Sequence, residues 1–195
     1  MKITHILLFL IVVVFVVQLS VPGFEKMFIL NPTNLMPWML ITSIFLHGGV
    51  MHLFFNAYAL IAFGPYLENT IGKRDFLILF LFGGIIGSIA YLVTIYFGII
   101  PPIPALGASG AIYAMLGALS ILMPELTLLF FFFPVSIRTM TIIWFVLELI
   151  GSFNPASGTA SAAHLGGLIF GLTFGYYYKS KAQKMNDWVY KQYAN

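Results

Sequence analysis

Residues 106–117 read LGASGAIYAMLG and place one serine, Ser109, between small residues at the start of an apolar run. Pro101, Pro102 and Pro104 come just before it, so a turn leads into a helix that opens at the serine. Two interpretations are open. The serine is either a small residue for helix packing or a nucleophile at the mouth of a helix.

The composition is that of a membrane protein. Of the 195 residues, 61% are hydrophobic and 8% are charged, whereas soluble domains carry about 25% charged residues. No cysteine is present, which excludes disulfides, cysteine nucleophiles and thiolate metal sites. No basic cluster is interleaved with aromatic residues, so the sequence gives no support for binding nucleic acid.

A helix of about 20 apolar residues crosses a bilayer. Apolar segments near this length recur along the chain and predict one all-α membrane domain over residues 1–195. The six predicted spans lie near residues 4–21, 49–67, 76–97, 108–123, 139–152 and 159–178, with a polar tail at 179–195. We interpret the first span as a retained signal anchor, since QLSVPG after it lacks a clear cleavage pattern. The apolar but proline-broken segment 22–48 is expected to lie in the membrane interface, as is 125–138.

The basic residues test the number of spans independently. With six spans, all of the Lys and Arg residues except Lys26 fall on the side that holds both termini. Those residues are Lys2, Lys73, Arg74, Arg138, Lys179, Lys181, Lys184 and Lys191. The positive-inside rule therefore predicts a multi-pass protein of the cell membrane with both termini in the cytoplasm.

Small residues recur at four-residue spacing on the fourth and sixth spans. They are Gly110, Ala114 and Ala118 on the fourth, and Gly167, Gly171 and Gly175 on the sixth. This spacing lets helix backbones approach closely in lipid, so we expect these two helices to be direct neighbours.

Polar side chains inside the predicted spans gather near the outer ends of the second, fourth and sixth helices. His52 and Asn56 are four residues apart and share a helix face. Ser109 opens the fourth helix, where backbone N–H groups lack intrahelical partners. A hydroxyl nucleophile needs a base, for which His164 on the neighbouring helix is the candidate. Tyr113 lies one helical turn after Ser109 and could pack against the imidazole of His164.

Several of these polar residues have a structural alternative. His52 and Asn56 could form only an interhelical hydrogen-bond pair. His47 does not share their helix face, and a structural role in the preceding loop is as well supported as a catalytic one. Glu148 is the only deeply placed carboxylate; it could orient a histidine, pair elsewhere or face a water-filled cavity, and the spacing does not select one. A Ser/His dyad is the simpler hypothesis.

Three motifs together give the chain a resemblance to a known family. They are HGGVMHLFFN at 47–56, GASG at 107–110 and AHLGGLIFG at 163–171. In this order, with six spans and a long interfacial first loop, the chain resembles the rhomboid intramembrane serine proteases in their minimal, prokaryotic-type form. The resemblance implies an endopeptidase that cleaves transmembrane segments of membrane-protein substrates through an acyl-enzyme intermediate, without a metal or other cofactor.

The resemblance also implies roles for single residues. Ser109 would be the nucleophile, and His164 the general base and then the acid for the leaving amine. The side chains of His52 and Asn56, with the backbone N–H of Ser109, would form the oxyanion hole. Gly107 would let the loop backbone approach the substrate.

Other residues are implied in supporting roles. Tyr113 would pack on His164, Gly110 would permit close helix approach, and Glu68 would be a structural acid. The loop at 151–158 would cover the site, and the fifth helix would form part of the lateral route for substrates. One departure from the family is that Trp38 is followed by Met39 rather than by arginine.

The implied partners are the lipid bilayer and membrane-protein substrates with small residues at the scissile bond and helix-breaking residues nearby. An alternative is a catalytically inactive rhomboid-like protein that binds membrane helices, although such proteins typically lack the serine or the histidine. A metal site built from His47, His52 and His164 is a further alternative, without an HExxH motif to support it. A channel or transporter would leave the serine and histidine unexplained.

Overall fold

The computed structural model describes residues 1–130, 132–152 and 160–193. The chain is mostly helical. Its elements are α1 (Ile3–Ser20), α2 (Phe24–Phe28), α3 (Met39–Thr42), a 3₁₀ turn (Ser43–Phe45), α4 (Val50–Tyr96), α5 (Ser109–Leu122), β1 (Thr127–Phe130), β2 (Phe133–Ser136), α6 (Ile137–Gly151) and α7 (Ser161–Tyr193). Among the described residues, α1 and α4 are long and apolar enough to cross a membrane, and α5 is a shorter apolar helix.

The 47 residues of α4 form two arms that meet at Gly72. A straight helix would separate His52 from Tyr91 by about 58 Å, yet both residues line one cavity. The chain therefore doubles back at Gly72, whose φ of 82° and ψ of 164° interrupt the helix. A positive φ favours glycine, which has no Cβ to clash. The sequence predicted a non-helical connection over 68–75, but the helix continues up to this single residue and restarts after it.

The close packing of α5 on α7 confirms the prediction from the small residues. The paired positions are Gly167 with Gly110, Gly171 with Ala114, and Gly175 with Ala118. A Cβ on Gly167 or Gly171 would collide with the carbonyl oxygen of its partner, and one on Gly175 would lie 2.9 Å from that of Ala118. The two backbones are thus in direct contact, and α5 is buried along most of its length.

Glu68, on the first arm of α4, binds the beginning of α1. Its carboxylate accepts hydrogen bonds from the backbone N–H of Ile3 at 2.8 Å and of Thr4 at 3.0 Å, and from the Thr4 hydroxyl at 2.8 Å. These N–H groups have no partner within their own helix. The contacts agree with the structural role that the resemblance gave to Glu68.

The segment between α1 and α4 is held by side-chain bonds to its own backbone. The Thr42 hydroxyl donates to the carbonyl oxygen of Phe28 at 2.8 Å, and the Trp38 indole donates to that of Met27 at 3.1 Å. Met39, where the family's arginine was expected, is buried among apolar side chains.

Two local features differ from the predicted elements, and the first of them also departs from the all-α prediction. The phenylalanine-rich stretch contains an antiparallel hairpin in which Thr127 pairs with Ser136. These strands were not predicted from the sequence, although aromatic and β-branched residues favour them. In addition, α7 extends to Tyr193 rather than ending near residue 178. The stretch after Lys179 contains no glycine or proline, so nothing in the sequence breaks the helix there.

Candidate active site

The polar residues predicted to share one depth lie at one end of the helical bundle, here called the site end, where α4, α5 and α7 begin and α6 ends. A cavity of about 390 Å³ opens among them. Its polar lining includes His52, Tyr91, Ser109, Ser152, Ser161 and His164. The predicted covering loop at 151–158 lies mostly outside the described residues.

Ser109 and His164 are hydrogen-bonded. The distance from the Ser109 Oγ to the His164 Nε2 is 2.7 Å, within the range of about 3 Å that a serine and its base require. Ser109 is the first residue of α5 and His164 lies in the first turn of α7. A side chain as short as serine reaches the histidine because the two backbones are in contact at Gly110 and Gly167, one residue after Ser109 and three after His164.

The imidazole of His164 is held by an aromatic stack. The ring of Tyr113 lies parallel to it, with centroids 4.4 Å apart and planes 6° apart. Tyr113 follows Ser109 by one helical turn, so the same helix carries the serine and the ring that orients its partner. The predicted packing of Tyr113 on the imidazole is therefore confirmed.

Glu148 reaches the same histidine from α6. Its Oε1 lies 2.9 Å from the His164 Nδ1, and it accepts a hydrogen bond from the Tyr113 hydroxyl. Of the three roles that the sequence left open, the contact with a histidine is the one observed. The sequence shows a lone carboxylate in an apolar helix, which marks Glu148 as a candidate. It does not show how α6 is rotated, and this rotation directs the side chain toward His164.

His52 presents one ring nitrogen to the cavity. The backbone N–H of Gly48 donates to the His52 Nδ1 at 3.3 Å. An Nδ1 that accepts leaves the proton of the neutral ring on Nε2. The Nε2 end of His52 therefore carries a donor.

Gly107 lies against that same nitrogen. Its φ is 125°, and a Cβ at this position would lie 2.8 Å from the His52 Nε2. A side chain would thus displace the histidine ring as well as strain the backbone. The expected role of Gly107 was to open the loop toward a substrate, and the observed contact gives it another: it makes room for His52.

Asn56 stands apart from the other predicted site residues. Its side chain is buried, and its amide nitrogen donates to the backbone carbonyl of His52 at 3.0 Å. It is not among the residues that line the cavity. One of its two N–H bonds is therefore used inside α4, one turn below His52.

His47 lies behind His52 and is fully buried. The two rings meet edge to face, with centroids 5.2 Å apart. The backbone of His47 exchanges hydrogen bonds with the amide of Gln18 at 2.8 and 3.1 Å. Burial, with the nearby His52 ring, lowers the pKa of His47 to about 4, so the ring is neutral at pH 7 and supports its neighbour by packing. Within the described ranges, no group of three His, Asp or Glu side chains is placed to hold a metal ion.

Comparison with known proteins gives the family. A model of the Rhomboid domain matches residues 34–181, which include all of the site residues above. The chain belongs to the rhomboid family. It is a membrane protein of a family whose members are generally intramembrane serine proteases.

Rhomboid relatives come from bacteria and mitochondria. The chain is 38% identical over 136 residues to the rhomboid protease GluP of Bacillus subtilis, and these residues make up 69% of this chain and 24% of GluP. It is 33% identical over 158 residues to the mitochondrial rhomboid protein 1 of Saccharomyces cerevisiae, covering 76% of this chain and 44% of that protein. A putative rhomboid protease of B. subtilis, YdcA, is 43% identical over 82 residues, or 41% of this chain and 38% of YdcA. The chain thus spans less than half the length of these relatives.

Proposed function

We propose that this rhomboid is an intramembrane serine endopeptidase that cleaves transmembrane segments of membrane proteins with a Ser109/His164 dyad. The observation that carries the proposal is the 2.7 Å hydrogen bond between the Ser109 Oγ and the His164 Nε2 at the wall of the cavity. Membership of a family of serine proteases supports it.

The reaction uses His164 twice. The Ser109 Oγ attacks the carbonyl carbon of the scissile bond while its proton passes to Nε2 of His164. The tetrahedral intermediate then collapses, the C–N bond breaks, and the leaving amine takes that proton. Water hydrolyses the acyl-enzyme by the same route, with its proton passing to His164 and on to Ser109.

The negative charge on the carbonyl oxygen is stabilised by donors at the mouth of α5. The Nε2–H of His52 is one, and the backbone N–H of Ser109, which has no helical partner, is a second. The family resemblance places the Asn56 amide with them, through the N–H that its bond to the His52 carbonyl leaves over; this requires the side chain to turn toward the cavity, which it does not line in this structure. Preorganised donors of this kind contribute about 10²–10³ each to the rate.

The short helix α5 sets the depth of the site. Its 14 residues rise about 21 Å, less than the roughly 30 Å of the hydrocarbon core. With both arms of α4 counted, the chain crosses the cell membrane six times and keeps both termini in the cytoplasm. Ser109 then lies below the outer surface, in a cavity that water enters from outside.

Substrates are membrane helices that can unwind. A helical peptide bond has its carbonyl engaged in the i to i+4 hydrogen bond, which shields it from attack. Small residues at the scissile bond and helix breakers nearby lower the cost of presenting an extended segment to Ser109. Neither a metal nor another cofactor takes part in the proposed chemistry.

The test is cleavage of model transmembrane substrates in liposomes by wild type, Ser109→Ala and Ser120→Ala. Ser120 lies on the same helix, and its hydroxyl donates to the carbonyl of Gly117 at 2.7 Å. We expect Ser109→Ala to fold and to lose cleavage by a factor of about 10³ or more, and Ser120→Ala to retain it. Equal turnover in wild type and Ser109→Ala would refute the dyad. A folded wild type that binds but never cleaves these helices would instead be the inactive relative.

A further inference from the structure

Glu148 is a charged side chain placed where charge is costly. It lies near the site end of α6, and its side chain is 13% exposed. Ionisable groups within membrane segments are rare and need partners. Glu148 is contacted by the hydroxyls of Tyr113 and Ser161, which donate to it, and by the Nδ1 of His164.

His164 is therefore contacted at both ring nitrogens. Nε2 is 2.7 Å from the Ser109 Oγ, and Nδ1 is 2.9 Å from the Glu148 Oε1. By distance the two groups form an ion-pair contact, but the Nδ1 makes no aligned hydrogen bond among the described residues. A small rotation of the imidazole or of the carboxylate would align the two groups.

Tyr113 connects the histidine to the carboxylate. Its ring stacks on the imidazole, and its hydroxyl binds the Oε1 that lies beside Nδ1. The tyrosine thus holds both partners in place. Two helices, α5 and α6, cooperate in positioning a histidine carried by a third, α7.

We propose that Glu148 is a positioning residue that completes a Ser109–His164–Glu148 triad. This inference rests on the proposed function and adds a member to its dyad. A neutral imidazole carries one proton, and it accepts the proton of Ser109 only if its own sits on Nδ1. The carboxylate beside Nδ1 favours that tautomer.

Glu148 also acts during the proton transfer. When Nε2 takes the proton from the Ser109 Oγ, His164 becomes an imidazolium with a proton on each nitrogen. The Glu148 carboxylate stabilises this positive charge and does not itself take up a proton, as in the Ser-His-Asp arrangement of soluble proteases. When Nε2 passes its proton to the leaving amine, the neutral Nδ1–H form returns.

The kinetic test compares Glu148→Gln, which keeps the shape and removes the charge, with Glu148→Asp, which keeps the charge. Glu125→Gln is the matched control, because Glu125 is 82% exposed and pairs with Arg138 on the surface. We expect Glu148→Gln to lower kcat between about 10- and 10⁴-fold with KM within about threefold of wild type. Glu148→Asp should recover part of the loss. A kcat for Glu148→Gln within threefold of wild type would overturn the proposal.

The spectroscopic test does not depend on activity. In protein labelled with ¹⁵N-histidine, ¹⁵N–¹H correlation spectra report which ring nitrogen of His164 carries the proton, with His164→Ala supplying the assignment. We expect Nδ1–H in wild type and a shift of the population toward Nε2–H in Glu148→Gln. A wild-type His164 with its proton on Nε2 would overturn the proposal even if the variant failed to fold. If wild type showed the Nδ1–H tautomer of His164 but cleaved no substrate, the proposed function would fail, whereas the contact between Glu148 and His164 would stand.

Discussion

At the scale of single residues, Glu68 accepts hydrogen bonds from the first backbone N–H groups of α1, which in a soluble protein could bond to water. The first N–H groups of a helix have no internal partner, and an unsatisfied backbone group in lipid costs several kcal/mol. The Glu68 carboxylate takes three hydrogen bonds from Ile3 and Thr4, and only 5% of the residue is exposed. The negative charge also interacts favourably with the positive end of the helix dipole.

Replacing Glu68 should therefore loosen α1 from the bundle. Glu68→Ala removes all three bonds, and we expect the free energy of unfolding in detergent to fall by about 2–5 kcal/mol. Glu125→Ala, which breaks an exposed ion pair with Arg138, should change it by less than about 1 kcal/mol. Chemical unfolding followed by circular dichroism measures both. Equal stability of the two variants would show that the cap is dispensable.

At the scale of elements, the seam between α5 and α7 fixes the distance from the serine to the histidine. Three small residues on each helix oppose one another, and the tightest pair is Gly171 with Ala114. Since Ser109 and His164 lie at the mouth of this seam, any widening separates the nucleophile from its base.

Gly171→Ala should widen the seam. The new methyl group meets the backbone carbonyl of Ala114, which cannot move aside as a flexible side chain would. We expect a loss of about 1–3 kcal/mol in stability and a fall in kcat of about 10–100-fold, because a misplacement of about 1 Å is enough for that. Thr173→Ala, on the exposed face of the same helix, is the control. Wild-type activity in Gly171→Ala would mean that the helices do not pack as described.

The same seam illustrates how far sequence could predict the fold. The spacing of glycine and alanine predicted the neighbouring helices, since it depends only on helix periodicity. The turn at Gly72 was predicted as a longer break, because charged residues around it suggested a loop. The hairpin beginning at Thr127 was missed, because its aromatic residues suit a membrane interface as well as a strand.

The site was predictable to the extent that its residues lie at helix ends. The order of the spans places Ser109 and His164 at the same side of the membrane, and one helical turn separates Tyr113 from Ser109, so the proximity of these residues could be predicted. Glu148 does not, because its orientation depends on how α6 rotates against its neighbours. The contact of Gly107 with the His52 ring depends on the path of an irregular loop, which no periodicity describes.

At the scale of the whole molecule, the bundle has two chemically different ends. The site end holds His52, Ser109 and His164 around the cavity, with Glu148 in contact with His164. The other end holds Gly72, where the Tyr178 hydroxyl donates to the carbonyl oxygen of Ile71 at 3.3 Å and ties α7 to α4. Residues distant in the chain thus meet only when α4, α5, α6 and α7 are all in place, so reactivity at Ser109 reports on the entire assembly.

Labelling by a fluorophosphonate tests the central claim most directly, since this reagent forms a covalent bond with a serine only when a base activates it. Intact-protein and peptide mass spectrometry of the folded protein in detergent would locate the adduct. We predict one adduct, on Ser109, formed at a rate that falls sharply in His164→Ala and is unchanged in Ser120→Ala. A folded protein that forms no adduct, or one in which His164→Ala is labelled as fast as wild type, would contradict the assignment of Ser109 as a nucleophile activated by His164.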